Sequence, residues 1–233
     1  MRTELSIVAA PGRLPRIDAV GGLAGRHTGT DTVHLIGTAA TPLGGDELDI
    51  RIVVLPGARL VVRSVAATIA LPSTRTPESV AHWYFEVGAG AELDFDPEPT
   101  IVAGGARHHA VTTVRLAPEA RLRLRERVQL GRSGEDGGAW RGDLCADLGD
   151  IPLLRHRLEL GADTGTDDRL SAPRALDSEL LYPDDRPAWA GSLDAVRLPL
   201  AAGGSLATRT SARLHADAPG GAVSVARPGV TSA

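Results

Sequence analysis

Lysine is absent from this 233-residue chain: all 25 of its basic residues are arginine. A lysine nucleophile or Schiff base is therefore excluded. Cysteine occurs once, at Cys145, which rules out an internal disulfide and any multi-cysteine metal knot. Cys145 sits in Gly142-Asp143-Leu144-Cys145-Ala146 with no histidine nearby in sequence, so it reads as structural or incidental. No Gly-x-Ser-x-Gly elbow exists, and no nucleophile–base–orienter set can be read, so the chain is not expected to be an enzyme. Aromatic residues make up only 3%, which leaves Leu, Val, Ile and Ala to build the core. A net charge of −4 argues against nucleic acid as a partner. No apolar run approaches the roughly 18 residues of a membrane-spanning helix, and the first residues lack the apolar region of a signal peptide. The chain reads as cytoplasmic and soluble, with no membrane partner. Gly21-Gly22-Leu23-Ala24-Gly25-Arg26 is glycine-rich, but it has neither G-x-G-x-x-G nor a Gly-Lys-Ser/Thr ending, and reads as a turn.

What the chain has in quantity is punctuation. It carries 27 glycines and 16 prolines, a density typical of turn-rich β-proteins. The turns repeat. Leu55-Pro56-Gly57-Ala58-Arg59-Leu60, Gly88-Ala89-Gly90-Ala91-Glu92-Leu93 and Ala117-Pro118-Glu119-Ala120-Arg121-Leu122 each end in Ala-x-Leu, opening an extended run. Ala58, Ala91 and Ala120 stand 33 and then 29 residues apart. Ala202-Gly203-Gly204-Ser205-Leu206 is a degenerate fourth copy. Such a period suggests stacked strand–turn–strand units, each covering its neighbour's apolar face; ordinary hairpins in a sandwich are the alternative. The expected fold is all-β, in stacked layers resembling a β-helix or a two-layer sheet, with few short helices. Residues 1–218 are expected to form a single domain and 219–233 a disordered tail rich in Gly, Ala and Pro. Strands are expected near 48–54, 59–66, 81–87, 91–95, 110–116, 121–130 and 153–160, the last paired with 146–148 around Gly149-Asp150. Ser171-Ala172-Pro173-Arg174 offers a helix cap, while 179–182 reads equally as strand.

Alternation assigns faces within these strands. Leu48, Ile50, Ile52 and Val54 point inward, with Asp46 at the end of the same face. Leu60 and Val62 are followed on their face by Ser64, Ala66 and Thr68. Arg121, Arg123, Arg125 and Arg127 share one face, either solvated or open to an anionic partner; Leu122, Leu124, Glu126, Val128 and Leu130 share the other. Glu126 is the odd member. A carboxylate on an apolar face must be neutral, paired with an arginine, or bathed in internal water. His108 and His109 are adjacent, point to opposite faces and cannot chelate one ion from a regular strand. The seven histidines show no ligand spacing. The acids in Asp94-Phe95-Asp96-Pro97-Glu98-Pro99 fit no EF-hand loop, and read as a rigid exposed link or as ligands for a hard cation.

Several segments, in order, resemble a known family. They are Thr41-Pro42-Leu43-Gly44-Gly45-Asp46, Pro56-Gly57-Ala58-Arg59-Leu60, Ala66-Ala67-Thr68, Gly90-Ala91-Glu92-Leu93, Pro97-Glu98-Pro99-Thr100-Ile101, Gly105-Ala106-Arg107, Leu116-Ala117-Pro118, Glu126, and Leu130-Gly131-Arg132-x-Gly134-Glu135. Together, over roughly residues 20–200, they resemble the urease accessory protein D family (accessory protein H in some bacteria), in its arginine-rich actinobacterial form. The resemblance implies a non-enzymatic chaperone with a stacked β-fold. It implies binding to urease apoprotein and to accessory proteins F and G. It also implies delivery of nickel, held transiently and with no tightly bound cofactor, through an internal polar passage. By motif position, Asp46 and Glu126 would provide the nickel path and Thr68 its lining. Arg132 and Glu135 match motif positions that loop stabilisation would equally explain. The chain departs from the family where Arg63-Ser64-Val65-Ala66 replaces Thr-Thr-Gln-Ala, where Ile69-Ala70-Leu71 follows Thr68, and where Asp94-Phe95 replaces a Trp. The family's C-terminal leucine-rich segment is not recognisable after residue 206. Two other functions compete: a cupin-like metalloenzyme, which needs two or three clustered histidines, and an unrelated β-sheet binding module docking through its arginines.

Overall fold

The computed structural model describes residues 1–135, 137–162, 164 and 172–214. Among these the chain forms strands and no helix, so none is long and apolar enough to cross a membrane. The tail at 219–233 and Ser171 lie outside the described residues. In chain order the strands are β1 (Arg2–Ala9), β2 (Arg16–Val20), β3 (Leu23–His27), β4 (Thr32–Gly37), β5 (Glu47–Val54), β6 (Arg59–Ser64), β7 (Thr68–Ala70), β8 (Glu78–Val87) and β9 (Glu92–Phe95). There follow β10 (Thr100–Val102), β11 (Arg107–Leu116), β12 (Arg121–Leu130), β13 (Ala139–Leu148), β14 (Ile151–Leu160), β15 (Ala175–Tyr182), β16 (Trp189–Ser192), β17 (Ala195–Pro199) and β18 (Ser205–Ser211).

The chain winds between two sheets. One runs β14-β13-β11-β8-β5-β1-β2; the other runs β16-β17-β18-β15-β12-β9-β6-β4-β3, with β10 beside β12 and β7 beside β10. Within the first sheet β1, β5, β8, β11 and β13 are parallel neighbours, and in the second so are β4, β6, β9 and β12. Each circuit is thus laid one strand further along than the last, as in a β-solenoid. The repeated turns carry the chain from the first sheet to the second, from β5 to β6, β8 to β9 and β11 to β12. All three close the same bond: Ala58 N–H donates to Leu55 C=O at 3.0 Å, Ala91 to Gly88 at 3.0 Å and Ala120 to Ala117 at 3.2 Å. They also stack, since Gly88 N–H donates to Val54 C=O and Ala117 N–H to Val87 C=O. The residue before each alanine takes positive φ: Gly57 at 71°, Gly90 at 63° and Glu119 at 62°.

Three expectations need correction. Ala202–Leu206 does not pass between sheets: it is a hairpin turn joining β17 to β18 within one sheet, closed by Leu200 N–H to Gly204 C=O. The strand expected over 59–66 stops at Ser64, whose hydroxyl donates to Ala66 C=O and accepts from Glu98 N–H. Thr68 therefore belongs to a separate strand. The segment before β15 caps no helix, because Arg174 N–H donates to Ser211 C=O and extends the pairing of β15 with β18.

Apolar side chains between the sheets form two clusters rather than one. The larger includes Leu5, Ile50, Val62, Phe85, Leu93 and Leu124; the smaller includes Val102, Val128, Leu130, Trp140, Leu160 and Leu176. Strands β8, β11 and β12 share one burial pattern, closed toward both ends and more accessible at the centre. The inward residues at that centre are Trp83, Thr112 and Glu126. Thr112 is in register with Trp83 and with Leu144, and Glu126 with Ser178. A partly polar seam thus separates the two apolar clusters.

Candidate functional site

The seam arises from a break in strand pairing. The first part of β12, Arg121–Leu124, pairs with β9, and Val128–Leu130 pairs with β10. Between them Asp96-Pro97-Glu98-Pro99 leaves the sheet. Proline cannot donate a ladder bond, so two of them spaced this way suit a departure. Residues 125–127 are left without a strand partner on that side, while β15 still pairs with them on the other.

Outside the sheet the arginines meet the acids of that loop and of β15. Arg123 donates to Asp94, Asp96 and Glu179 at 3.1, 3.0 and 2.7 Å. Arg125 grips Asp177 with two bonds of 2.9 and 2.8 Å. Arg127 donates to Asp96 at 3.2 Å and to Pro97 C=O at 2.7 Å. Burial works against the charge of Arg123, but Glu179 and Asp96 outweigh it and raise its pKa. Arg121 is exposed, but from Arg123 to Arg127 the ladder is neither a bare solvated face nor an anionic docking surface. Acids of the same chain pair with Arg123, Arg125 and Arg127, which removes the main feature favouring a binding module. Asp94 and Asp96 are likewise committed to arginine, not to a hard cation.

Inside the sheet Glu126 faces space. It has no hydrogen-bond or ion-pair partner among the described residues, and burial pushes its carboxyl up to about 7. Of the three states open to it, pairing with arginine is excluded: Arg125 and Arg127 point to the opposite face. Two adjoining cavities share Glu126 in their walls. The smaller, about 60 Å³, also touches Trp83, Thr112 and Ser178. The larger, about 460 Å³, runs past Thr68, Thr100 and Glu98 to Thr41, Pro42 and the exposed Val65. A water needs roughly 10–15 Å³ of such volume and two or more polar partners, so both spaces suit water.

Thr68 therefore lines the same cavity as Glu126, opposite Thr100 in register. Asp46 is placed differently. It closes the Leu43-Gly44-Gly45-Asp46 turn, with its Oδ2 accepting from Leu43 N–H at 2.8 Å and from Thr41 Oγ1 at 2.9 Å. Its Oδ1 faces the amino group of Met1. Burial works to raise its pKa, and these bonds outweigh burial and lower it. Both Asp46 oxygens are thus committed beside Thr41 and Pro42 in the cavity wall. Arg132 and Glu135 form a loop clasp. Arg132 Nε donates to Glu135 Oε1 at 2.9 Å, and Glu135 Oε2 accepts from the backbone N–H of Arg132 and of Gly104, each at 3.2 Å. The bonds from Arg132 and then from Gly104 hold Glu135 down at about 2. Arg132 also touches the larger cavity.

Sequence reasoning missed Thr112, Ser178 and the role of Glu98 at the cavity. Parity with Ala110 and Val114 was the available signal for Thr112; Ser178 needed the β12–β15 register. It also missed a grouping on the outer face of the first sheet, where ligand atoms of Glu47, Asp49 and His82 lie within 4.8 Å of one another. Asp49 and His82 are cross-strand partners, invisible to spacing along the chain. This grouping holds one histidine, short of what a cupin-like centre needs, and Arg2 stands 3.1 Å from Asp49.

The sequence pattern of the UreD urease accessory protein family matches residues 23–223. A protein of Frankia alni named urease accessory protein UreD is 45% identical over 70% of this chain and 60% of its own length. Its counterpart in Frankia casuarinae is 43% identical over 70% of this chain and 56% of its own length. Urease accessory protein UreD 1 of Saccharopolyspora erythraea is 40% identical over 82% of this chain and 76% of its own length. The chain thus spans less than two thirds of the two Frankia proteins. These relatives are named as accessory proteins, not as enzymes. With the family pattern covering most of the sequence, the chain belongs to the UreD family of urease accessory proteins.

Proposed function

We propose that this chain scaffolds the urease maturation complex and passes Ni²⁺ toward urease apoprotein through the cavity between its sheets. The observation that carries this reading is Glu126, an inward-facing carboxyl without a protein partner, turned into a space fit for water between two apolar clusters. A fold selected only for stability would gain from an apolar side chain there. A polar path for a hydrated cation gives the acid a purpose. Nickel is then cargo, held transiently by oxygen donors, which bind a borderline metal more weakly than imidazole or thiolate does. Thr68, Thr100 and Glu98 extend the path outward. Asp46 acts as a positioning residue that holds the turn beside the mouth, and the Arg132–Glu135 clasp holds the loop at the far wall. Accessory proteins F and G and urease apoprotein are the partners, in the cytoplasm.

The test is co-expression of a Glu126→Leu chain with urease and its accessory proteins. The complex should be recovered intact, while urease gains little nickel and little activity. Normal activation by this variant would overturn the reading.

A further inference from the structure

On the outer face of the first sheet, near the start of β5, charge does not balance. Glu47 and Asp49 are alternate residues of β5 and share its outward face. His82 stands beside Asp49 on β8, while Arg2 and Glu4 stand beside Glu47 and Asp49 on β1. Arg2 is the one guanidinium of these five residues. It lies 3.0 Å from the Glu4 carboxylate and 3.1 Å from that of Asp49. Arg51, the next outward residue of β5, is engaged with Glu86 at 3.3 Å. Glu4, Glu47 and Asp49 thus share one arginine, and like charges on neighbouring strand positions repel.

The spacing of the donors suits an ion. Ligand atoms of Glu47, Asp49 and His82 lie within 4.8 Å of one another. His82 Nε2 is 3.7 Å from Glu47 Oε1, too far for a hydrogen bond. Two ligands bonded to one cation at about 2.0–2.2 Å stand roughly 3.0–3.6 Å apart, so this pair is spaced for an ion between them. Asp49 Oδ2 is enclosed and makes no hydrogen bond, although Arg2 stands beside it. A carboxylate has two oxygens. Arg2 at one of them orients the group and leaves the other to a cation, as charged neighbours do for metal-bound carboxylates. The backbone beneath is fixed, since β5 pairs with β1 and β8 along its whole length.

We propose that Glu47, Asp49 and His82 form a surface site for one borderline divalent metal, of which Zn²⁺ is the type, clipping β5 to β8 from outside. The donor set is selective. Mg²⁺ and Ca²⁺ prefer oxygen ligands throughout, and Cu(I) prefers sulfur, whereas two carboxylates with one imidazole suit a borderline ion. Three protein ligands leave a coordination position to water or to a donor from a partner. The ligands come from two strands that only the fold brings together, so binding favours the folded chain. The site faces away from Leu48 and Ala81, which point between the sheets, and it uses no part of the proposed passage.

The test is calorimetric titration of the full chain with Zn²⁺ alone, beside His82→Gln, Asp49→Asn and Glu47→Gln. All three side chains are at least partly exposed, so without metal the variants should melt close to wild type. Wild type should bind one Zn²⁺ at a site that each substitution weakens by at least about tenfold. Zn²⁺ should raise the melting temperature of wild type and leave that of His82→Gln unmoved. An unchanged isotherm in any one of the three variants overturns the proposal. So does displacement of Zn²⁺ by an equal concentration of Mg²⁺, which would make the trio an ordinary acidic patch. Glu126→Leu should bind this Zn²⁺ as wild type does, so the outcome stands apart from that of the passage.

Discussion

Arg125 and Glu126 are consecutive residues of β12 with opposite environments. Arg125 turns outward and is held by two bonds to Asp177; Glu126 turns inward, with no protein partner among the described residues. One step along a strand reverses the face, and here it separates an ion-pair lattice from a cavity. The two depend on the same break. The loop at 96–99 supplies Asp96 to the arginines outside and opens the space before Glu126 inside.

Asp96 is the hub of the outer lattice. It accepts from Arg123 and Arg127 and lies 3.6 Å from Arg125. Replacing it leaves three cations at alternate positions of one strand short of a counter-charge. Asp96→Asn is expected to destabilise the chain by about 2 kcal/mol, in the range of a broken, partly buried ion pair. Asp94→Asn should cost less, because Asp94 is more exposed and does not bridge the ladder. Urea titration of both variants checks the ranking, and the difference should shrink in high salt.

The repeated turns make a paired stability test. Gly57 and Gly90 take the positive φ that glycine tolerates best, and Glu119 holds the same conformation in the third copy. A Cβ at Gly90 would meet nothing within 4 Å, so the cost of adding one lies in the backbone alone. Gly90→Ala is expected to destabilise by about 1 kcal/mol, and Glu119→Gly to stabilise by roughly 0.5–1 kcal/mol. Thermal melts of the two variants should shift in opposite directions.

The coil was legible in the sequence because its cause is local. Each Ala-x-Leu turn names its own boundary, and alternation from 48 to 52 and from 121 to 130 assigns faces without knowledge of neighbours. Glu126 stood out for the same reason. The partners of Arg123, Arg125 and Arg127 did not, because they lie 27 to 56 residues away, on β9, on β15 and in the loop at 96–99. Parity also carried Thr68 inward on the assumption of an unbroken strand from Leu60. It does line the cavity, but from the separate strand β7, placed by pairing with β10. Alternation set Asp46 at the end of the inward face of β5, but it lies in the turn before that strand, and its engagement by Thr41 and Leu43 is a property of the turn, which alternation does not describe.

That engagement separates two roles for Asp46. As a positioning residue it should tolerate loss of charge better than loss of its acceptor oxygens. Asp46→Asn is expected to keep an oxygen for Leu43 N–H and to activate urease near the wild-type level. Asp46→Ala should cost about 1–2 kcal/mol from the stranded Leu43 and Thr41 donors and weaken activation through the mouth. Because the folded-state pKa is lowered, the carboxylate's stabilising contribution is full above the ordinary value of 3.8. It is lost as pH falls through the lower folded value. If Asp46→Asn folds normally but fails to activate, the carboxylate itself is a ligand.

Glu126 has the reverse sign. Its folded-state pKa is raised from 4.5 to about 7, so between those values the folded chain holds a proton that the unfolded chain has released. Stability therefore declines as pH rises through this window and levels off above it. A displacement of this size corresponds to at most about 3.5 kcal/mol, and water in the cavity reduces it. Glu126→Leu removes the ionisation altogether. The variant is expected to be at least as stable as wild type near neutral pH, and its stability should lose this fall between about pH 5 and about pH 8. Urea midpoints at the two pH values check both statements. If Glu126→Leu instead unfolds the chain, the carboxyl is bonded within the fold and the open cavity is the wrong description. If wild type shows no fall in stability across the window, Glu126 ionises freely in water, and the cavity is wetter than its apolar walls imply.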